Sequence, residues 1–250
     1  MSAIWAACSS RATPVPLTGE AYRLVESQEQ VATNALVRTL AEQALLEDLI
    51  ETSKPALPHA AQSLHYLLAT PFRYPPLPWG SRFGHRFEPS LFYASRSTST
   101  CLAESAYYRC VFWAGMAVPP PAPLDTRHTL FSVPLRATRG LQLQHAPFDD
   151  YHDTLTDRRD YSATQALGSA LREAGIDAIE YTSARDPDRG INVALFTPAA
   201  LGASKPTILD EWLCSTRADA VMYYSRTGGG FCEYPQKQFL VDGTLPLPAQ

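Results

Sequence analysis

The feature that most constrains the fold is the irregular alternation of short strands and short helices along the chain. Apolar and aromatic runs typical of strands occupy residues 21–25, 91–95, 129–135, 177–182, 191–197, 218–224 and 238–241. Helical spacing of apolar residues occupies 30–50, 60–70 (ended by Pro71), about 97–113, and 163–174 (ended by Gly175). A doubly wound parallel sheet would need strict strand–helix repetition, so the pattern predicts an α+β domain. The triple glycine at 228–230 predicts a hairpin turn.

The composition excludes several functional classes but does not by itself indicate a function. The 250 residues carry a net charge of −4, whereas a protein that binds nucleic acid needs a basic face. No apolar run approaches the ~20 residues that span a bilayer, and the first residues lack the basic start of a secretory signal. Five cysteines without a CxxC pair predict neither a disulfide framework nor a zinc site. We therefore expect a cytoplasmic protein that has no membrane or nucleic-acid partner and binds no metal.

The common catalytic motifs are absent from the sequence. It contains no dinucleotide-binding or phosphate-binding glycine loop, no metalloprotease motif and no nucleophile elbow. One segment, residues 79–109, nevertheless combines residues that can do chemistry. Arg82 lies in a loop of small residues, Tyr93 lies on the next strand, and Glu104 lies in the following helix. This spacing allows the three side chains to converge on one pocket, although each alone is more often structural.

The order of short motifs adds information that no single motif carries. The sequence has Tyr-Arg at 22–23, Gly-Ser-Arg-Phe at 80–83, Phe-Tyr-Ala-Ser at 92–95 and Thr-Cys-Leu-Ala-Glu at 100–104. Later motifs are Thr-Ser-Ala-Arg at 182–185 and Asn-Val-Ala-Leu-Phe at 192–196. In this order they resemble the RES-domain family, toxins of bacterial toxin–antitoxin modules. The resemblance covers half to two-thirds of the chain.

The resemblance implies a fold like that of ADP-ribosylating toxins and cleavage of the nicotinamide–ribose bond of NAD⁺. The acceptor of the ADP-ribose would be water or phosphate, or a protein in some relatives. NAD⁺ is then a substrate, and no cofactor is expected. A further implied partner is a cognate helix-turn-helix antitoxin that covers the active site. A catalytically idle domain that only binds a partner or a nucleotide is the alternative from another class.

The resemblance also assigns the site residues. Glu104, Arg82 and Tyr93 would be catalytic, and Arg23, Arg82, Tyr93 and Ser183 would bind NAD⁺. Arg73 is an alternative to Arg23 because about 58 residues separate Arg23 from Arg82, more than in compact family members. The whole chain is predicted to be one domain with its core at about 73–210, joined by the 22–23 strand. A helical insertion at about 26–70 and a C-terminal extension at about 211–250 would surround that core.

Overall fold

The computed structural model describes residues 2–27 and 36–247. Six α-helices occur in this part of the chain, accompanied by several short 3₁₀ turns. Their bounds are α1 (Ala3–Cys8), α2 (Leu40–Ser53), α3 (Tyr66–Arg73), α4 (Thr98–Ala114), α5 (His152–Leu155) and α6 (Ser162–Glu173). None of the helices described is long and apolar enough to cross a membrane.

Eight strands form one mixed sheet in the described residues. Their bounds are β1 (Val15–Glu26), β2 (Phe92–Ser95), β3 (Leu124–Gln142), β4 (Ala178–Thr182), β5 (Ile191–Leu195), β6 (Thr207–Thr216), β7 (Ala220–Ser225) and β8 (Phe231–Pro235). The order is β1-β2-β5-β4-β3-β6-β7-β8, and only β3 and β4 run parallel.

The first five strands in this order close on themselves. β1 pairs with β3 over eleven residues, and its contact with β2 is the single pair Tyr22–Ser95. The 19-residue β3 makes the closure possible, because its first half pairs with β6 and its last residues pair with β4. One strand therefore belongs both to the closed part and to the extension β6–β8.

Three apolar clusters hold these layers together. α3 packs Leu68 and Phe72 against the inner face of the closed strands. α1 and α6 cover the outer face of β4 and β5. α4 packs against β1, β6 and β7 and buries Tyr107 against Phe239 of the C-terminal segment, with ring centroids 5.9 Å apart.

Most predicted elements are present, and the α+β class is confirmed. Ser97 caps α4 by accepting a hydrogen bond from Thr100 N, and Gly175 ends α6 with a φ of +70°. The hairpin predicted at 228–230 joins β7 and β8. Helices α1 and α5 and strands β6 and β8 were not predicted: the two helices are only six and four residues long, too short to show a helical period, and the apolar residues of the two strands do not alternate regularly.

Three predicted elements need correction. The 238–241 strand is wrong: Gln236–Phe239 form a 3₁₀ turn that drives Phe239 into the core. The 60–70 helix begins only at Tyr66 and continues past Pro71 to Arg73. The 30–50 helix begins at Leu40, where Thr39 and Glu42 form a capping box, and none of the residues of α2 is buried. The 30–35 part of that prediction lies outside the described residues.

Candidate functional site

A cavity of about 550 Å³ opens beside the paired ends of β1, β2 and β5. Its walls come from β1, the segment between α3 and β2, the start of α4, and the loops before α6 and after β4. The lining residues are Tyr22, Arg23, Leu24, Thr70, Pro71, Tyr74, Pro75, Pro76, Leu77, Trp79, Gly80, Ser81, Arg82, Ser90, Leu91, Tyr93, Ala94, Ser95, Cys101, Glu104, Ser105, Tyr108, Tyr161, Tyr181, Arg185 and Asn192. This volume suits a small-molecule ligand, for which ~300–1,000 Å³ is usual.

The sheet register builds the floor of the cavity. Tyr22 pairs with Ser95, Ser95 pairs with Asn192, and Asn192 pairs with Tyr181. Directly paired residues point to the same face of a sheet. Four neighbouring strands thus present one row of polar side chains, and all four residues line the cavity.

Glu104 lies on α4 above this row. Its Oε1 accepts a hydrogen bond from Ser183 Oγ at 2.6 Å and a second from Asn192 Nδ2 at 2.5 Å. Ser183 Oγ itself accepts from the backbone N–H groups of Arg185 and Asp186 at 3.1 and 2.9 Å. Because these two N–H groups occupy the lone pairs of Ser183 Oγ, the Ser183 hydroxyl proton points towards the carboxylate. Glu104 Oε1 is thus bound by both Ser183 and Asn192.

Arg82 is held in the opposite wall by backbone oxygens and an aromatic ring. Its Nη1 donates to the carbonyl oxygens of Leu155 and Asp157 at 3.1 and 2.8 Å, and its guanidinium carbon lies 4.3 Å from the ring centroid of Tyr161. No carboxylate pairs with it in the described part of the chain. A guanidinium held in this way keeps charge and donors for an anionic ligand.

The loop before Arg82 depends on glycine. Gly80 has a φ of +81°, and a Cβ there would lie 2.5 Å from the carbonyl oxygen of Gly84. A larger residue would therefore open the tight turn that closes between Ser81 and Gly84.

Tyr93 fixes the same loop from the sheet. Its hydroxyl accepts a hydrogen bond from Phe83 N at 3.0 Å and shares a second with Ser81 Oγ at 2.9 Å. Burial raises the pKa of Tyr93 to about 12, so the phenol is neutral near pH 7. The structure thus gives Tyr93 a place in the cavity wall and a role in holding the arginine loop.

Arg23, not Arg73, reaches the cavity. Arg23 Nη1 donates to the carbonyl oxygen of Tyr93 at 2.9 Å, and its guanidinium lies 5.0 Å from the ring centroid of Phe92. Burial lowers the pKa of Arg23 to about 10, which still leaves it charged at neutral pH. Arg73 instead contacts Glu51 at 2.7 Å and the carbonyl of Pro55 at 2.7 Å, and it is not a lining residue.

Ser183 is hydrogen-bonded to a cavity residue without lining the cavity itself. It follows the end of β4, as predicted, but it is 3% exposed and lies behind Glu104 rather than among the lining residues. Its hydroxyl donates to the carboxylate, so the structure shows Ser183 supporting Glu104. A direct contact of Ser183 with NAD⁺ remains a prediction.

Sequence reasoning missed three residues of this site. Asn192 and Arg185 were noticed only as members of short motifs, and Tyr161 was not noticed. Arg185 is almost fully buried: its guanidinium carbon lies 3.6 Å from the ring centroid of Tyr107, and its Nη2 donates to the hydroxyl of Tyr161 at 3.0 Å. A charged residue three positions after the predicted 177–182 strand was the available signal.

Comparisons with known proteins agree with the order of the motifs. A family model described as the RES domain matches residues 56–217. The chain belongs to the RES domain family. The matched range contains Arg82, Tyr93, Glu104 and Ser183, whereas Arg23 lies before it and is brought to the site by β1.

Solved structures give a weaker likeness to this RES domain. The crystal structure of the MbcT–MbcA toxin–antitoxin complex from M. tuberculosis contains a chain with 10% identity and a TM-score of 0.49. The alignment covers 83% of the RES domain protein described here and 90% of that chain. No curated protein matches the sequence.

The charges around the cavity of the RES domain are unequal. Its charged lining residues are Arg23, Arg82, Arg185 and Glu104. Three guanidinium groups favour an anionic ligand, and the Glu104 carboxylate favours a positive centre on that ligand. Within residues 2–27 and 36–247, no group of His, Cys, Asp and Glu side chains is arranged to hold a metal ion.

Proposed function

We propose that this protein cleaves the bond between nicotinamide and ribose in NAD⁺ and passes the ADP-ribose to water or phosphate. The observation that carries the proposal is the Glu104 carboxylate, fixed by Ser183 and Asn192 in a cavity that also contains Arg23 and Arg82. NAD⁺ combines an anionic pyrophosphate with a cationic nicotinamide ring, and this arrangement of charges matches both. Membership of the RES domain family supports the same reaction.

The chemistry follows from the positions of the charges. When the C1′–N bond breaks, its electron pair leaves with nicotinamide, and positive charge develops on the ribose, as in glycoside cleavage. A carboxylate about 4 Å from that charge stabilises it by ~4 kcal/mol at an effective dielectric constant near 20. This corresponds to about a thousandfold in rate. A water or phosphate oxygen then bonds to C1′, and water releases its proton to solvent.

The arginines serve binding and orientation. Guanidinium groups bind phosphate oxygens through two parallel hydrogen bonds, so Arg82 and Arg23 would hold the pyrophosphate. Tyr93 keeps the Arg82 loop in place and presents its ring to the cavity. The Tyr93 phenol is uncharged near neutral pH because its pKa is about 12.

The decisive experiment measures NAD⁺ loss over time by chromatography, with and without phosphate. We expect wild-type protein to release nicotinamide with ADP-ribose, or with ADP-ribose phosphate when phosphate is the acceptor. Glu104→Gln keeps the shape of the side chain and removes its charge, so we expect about a thousandfold loss of rate. Full activity in Glu104→Gln would show that the site assignment is wrong, and labelled protein after incubation with labelled NAD⁺ would favour a protein acceptor.

We propose also that the activity makes the protein a toxin restrained by an antitoxin that covers the cavity. The exposed side chains around the cavity support this proposal. Four large aromatic or apolar lining residues are 38–54% exposed, namely Tyr74, Leu77, Trp79 and Tyr108. A cluster of exposed apolar side chains of this kind is typical of a protein–protein interface. Expression in bacterial cells should lower cellular NAD⁺ and stop growth, whereas Glu104→Gln should do neither. Growth arrest that persists in Glu104→Gln would contradict the proposal.

A further inference from the structure

We infer that Asn192 and Ser95 are positioning residues that hold the Glu104 carboxylate with one oxygen committed to the protein and the other presented to the ribose. The inference rests on the proposed cleavage of NAD⁺ and adds two residues to its machinery. It is carried by a chain of two hydrogen bonds, from Ser95 to Asn192 and from Asn192 to Glu104, that crosses β2, β5 and α4.

The first link fixes the orientation of the amide. Ser95 Oγ donates to Asn192 Oδ1 at 2.7 Å, and both residues are buried, at 3% and 2% exposure. The two are direct partners in the sheet register, so the contact is set by the backbone. An amide rotated by 180° would place its oxygen against the Glu104 carboxylate, and two acceptors would then face each other with no proton between them.

The second link commits one carboxylate oxygen. With its oxygen bound to Ser95, Asn192 must turn its NH₂ group towards Glu104, and Nδ2 donates to Oε1 at 2.5 Å. Ser183 occupies the other lone pair of Oε1 at 2.6 Å. Oε2 accepts no hydrogen bond from the residues that the structure describes, and Glu104 lines the cavity.

Oε2 is therefore the oxygen that faces the developing charge at C1′. A free carboxylate would rotate about its last torsion and share its charge among several directions. Two donors on Oε1 stop this rotation before the substrate arrives, and such preorganised charge needs no rearrangement during the reaction. The amide acts on the reaction only through Glu104.

The test compares Asn192→Leu with Gln142→Leu. Gln142 is a matched control because its amide also donates to a sheet carboxylate, Glu180 Oε2, at 2.8 Å, outside the cavity. We expect Asn192→Leu to lower kcat about 10- to 100-fold and leave the KM for NAD⁺ within about threefold, because it removes a hydrogen bond to a charged group. Gln142→Leu should lose stability and keep kcat.

Double variants separate positioning from general damage. Ser95→Ala should lower kcat by about 3- to 10-fold on its own and add nothing in the Asn192→Leu background, because it acts through the amide. Asn192→Leu should in turn add nothing to Glu104→Gln. Additive losses in either pair, or an Asn192→Leu variant with wild-type kcat, would overturn the inference.

A crystal structure of Asn192→Leu gives a readout independent of turnover. We expect the Glu104 carboxylate to rotate or to adopt more than one orientation, and an unchanged carboxylate would contradict the inference. These experiments also distinguish the positioning role of Asn192 from the proposed cleavage of NAD⁺. Wild-type protein that does not cleave NAD⁺ overturns both, whereas cleavage that depends on Glu104 but not on Asn192 overturns only the positioning role.

Discussion

Arg82 is bound to the backbone of a distant loop: its Nη1 donates to the carbonyl oxygen of Asp157 at 2.8 Å, across 75 residues of sequence. The same loop is tied to the C-terminal segment, since Arg158 Nη1 donates to the carbonyl of Gln238 at 3.1 Å and Arg159 Nη2 donates to that of Val241 at 2.7 Å. That segment lies beyond the 56–217 family match. The wall that carries Arg82 is thus supported from outside the matched region.

Arg82→Ala should weaken NAD⁺ binding. The substitution removes the guanidinium that we assign to the pyrophosphate, so we expect the dissociation constant to rise about 10- to 100-fold. Calorimetry in the Glu104→Gln background measures binding without turnover. Arg82→Lys is the matched variant, and it should recover only part of the affinity because one ammonium cannot serve both carbonyls and a phosphate. Unchanged affinity in Arg82→Ala would remove the residue from the binding site.

The substitutions Arg23→Ala and Arg73→Ala should have clearly different effects on the KM for NAD⁺. Arg23 lines the cavity, whereas Arg73 is engaged by Glu51 and Pro55 away from it. We expect Arg23→Ala to raise the KM about tenfold or more, as the loss of a charge-assisted phosphate contact should. Arg73→Ala should stay within about twofold of wild type, since an exposed ion pair contributes little. Steady-state kinetics with NAD⁺ decide between them, and equal effects would leave the choice of Arg23 unsupported.

Tyr93→Phe should destabilise the protein by about 1–3 kcal/mol. The variant leaves the Phe83 N–H without its acceptor in a buried loop, and an unpaired buried donor has about this cost. Tyr181→Phe is the matched control: Tyr181 also lines the cavity, and its hydroxyl makes no hydrogen bond with the described residues, so a change below about 0.5 kcal/mol is expected. Urea unfolding followed by tryptophan fluorescence measures both. Similar losses in the two variants would argue against the loop-holding role.

His128 should make stability depend on pH between about 4 and 6.5. Burial and then the charge of Arg109 lower its pKa to about 4, below the ~6.5 of an unfolded chain. In this window the unfolded state binds the extra proton, so the free energy of unfolding falls as the pH drops, by up to ~1.4 kcal/mol per pH unit. Above pH 6.5 both states are neutral and the effect is absent.

His128→Gln isolates this dependence. Glutamine has a polar side chain that can reach Thr126 Oγ1, which lies 3.0 Å from His128 Nε2, and it does not titrate. Subtracting the unfolding free energies of the variant from those of wild type, pH by pH, removes the contribution of the carboxylates. A difference that stays constant from pH 7 to pH 4 would show that His128 is not buried in its neutral form.

The local elements and the reactive segment were accessible from sequence because both depend on neighbours along the chain. Ser97 caps α4 through Thr100, three residues away, and Gly175 ends α6 by its own backbone freedom. Arg82, Tyr93 and Glu104 lie within 23 residues on a loop, a strand and a helix, and this spacing allowed them to converge on one pocket.

Tertiary structure decided how these residues are held. Glu104 is bound by Ser183 and Asn192 across 79 and 88 residues, and Arg23 reaches Tyr93 across 70. Such contacts follow from strand register and the closure of β1 on β3, which no local periodicity encodes. For the same reason sequence could not choose between Arg23 and Arg73, or predict that Ser183 lies behind the carboxylate. Hydrogen bonds along the chain can be inferred from spacing, whereas those across the sheet exist only once the strands are paired.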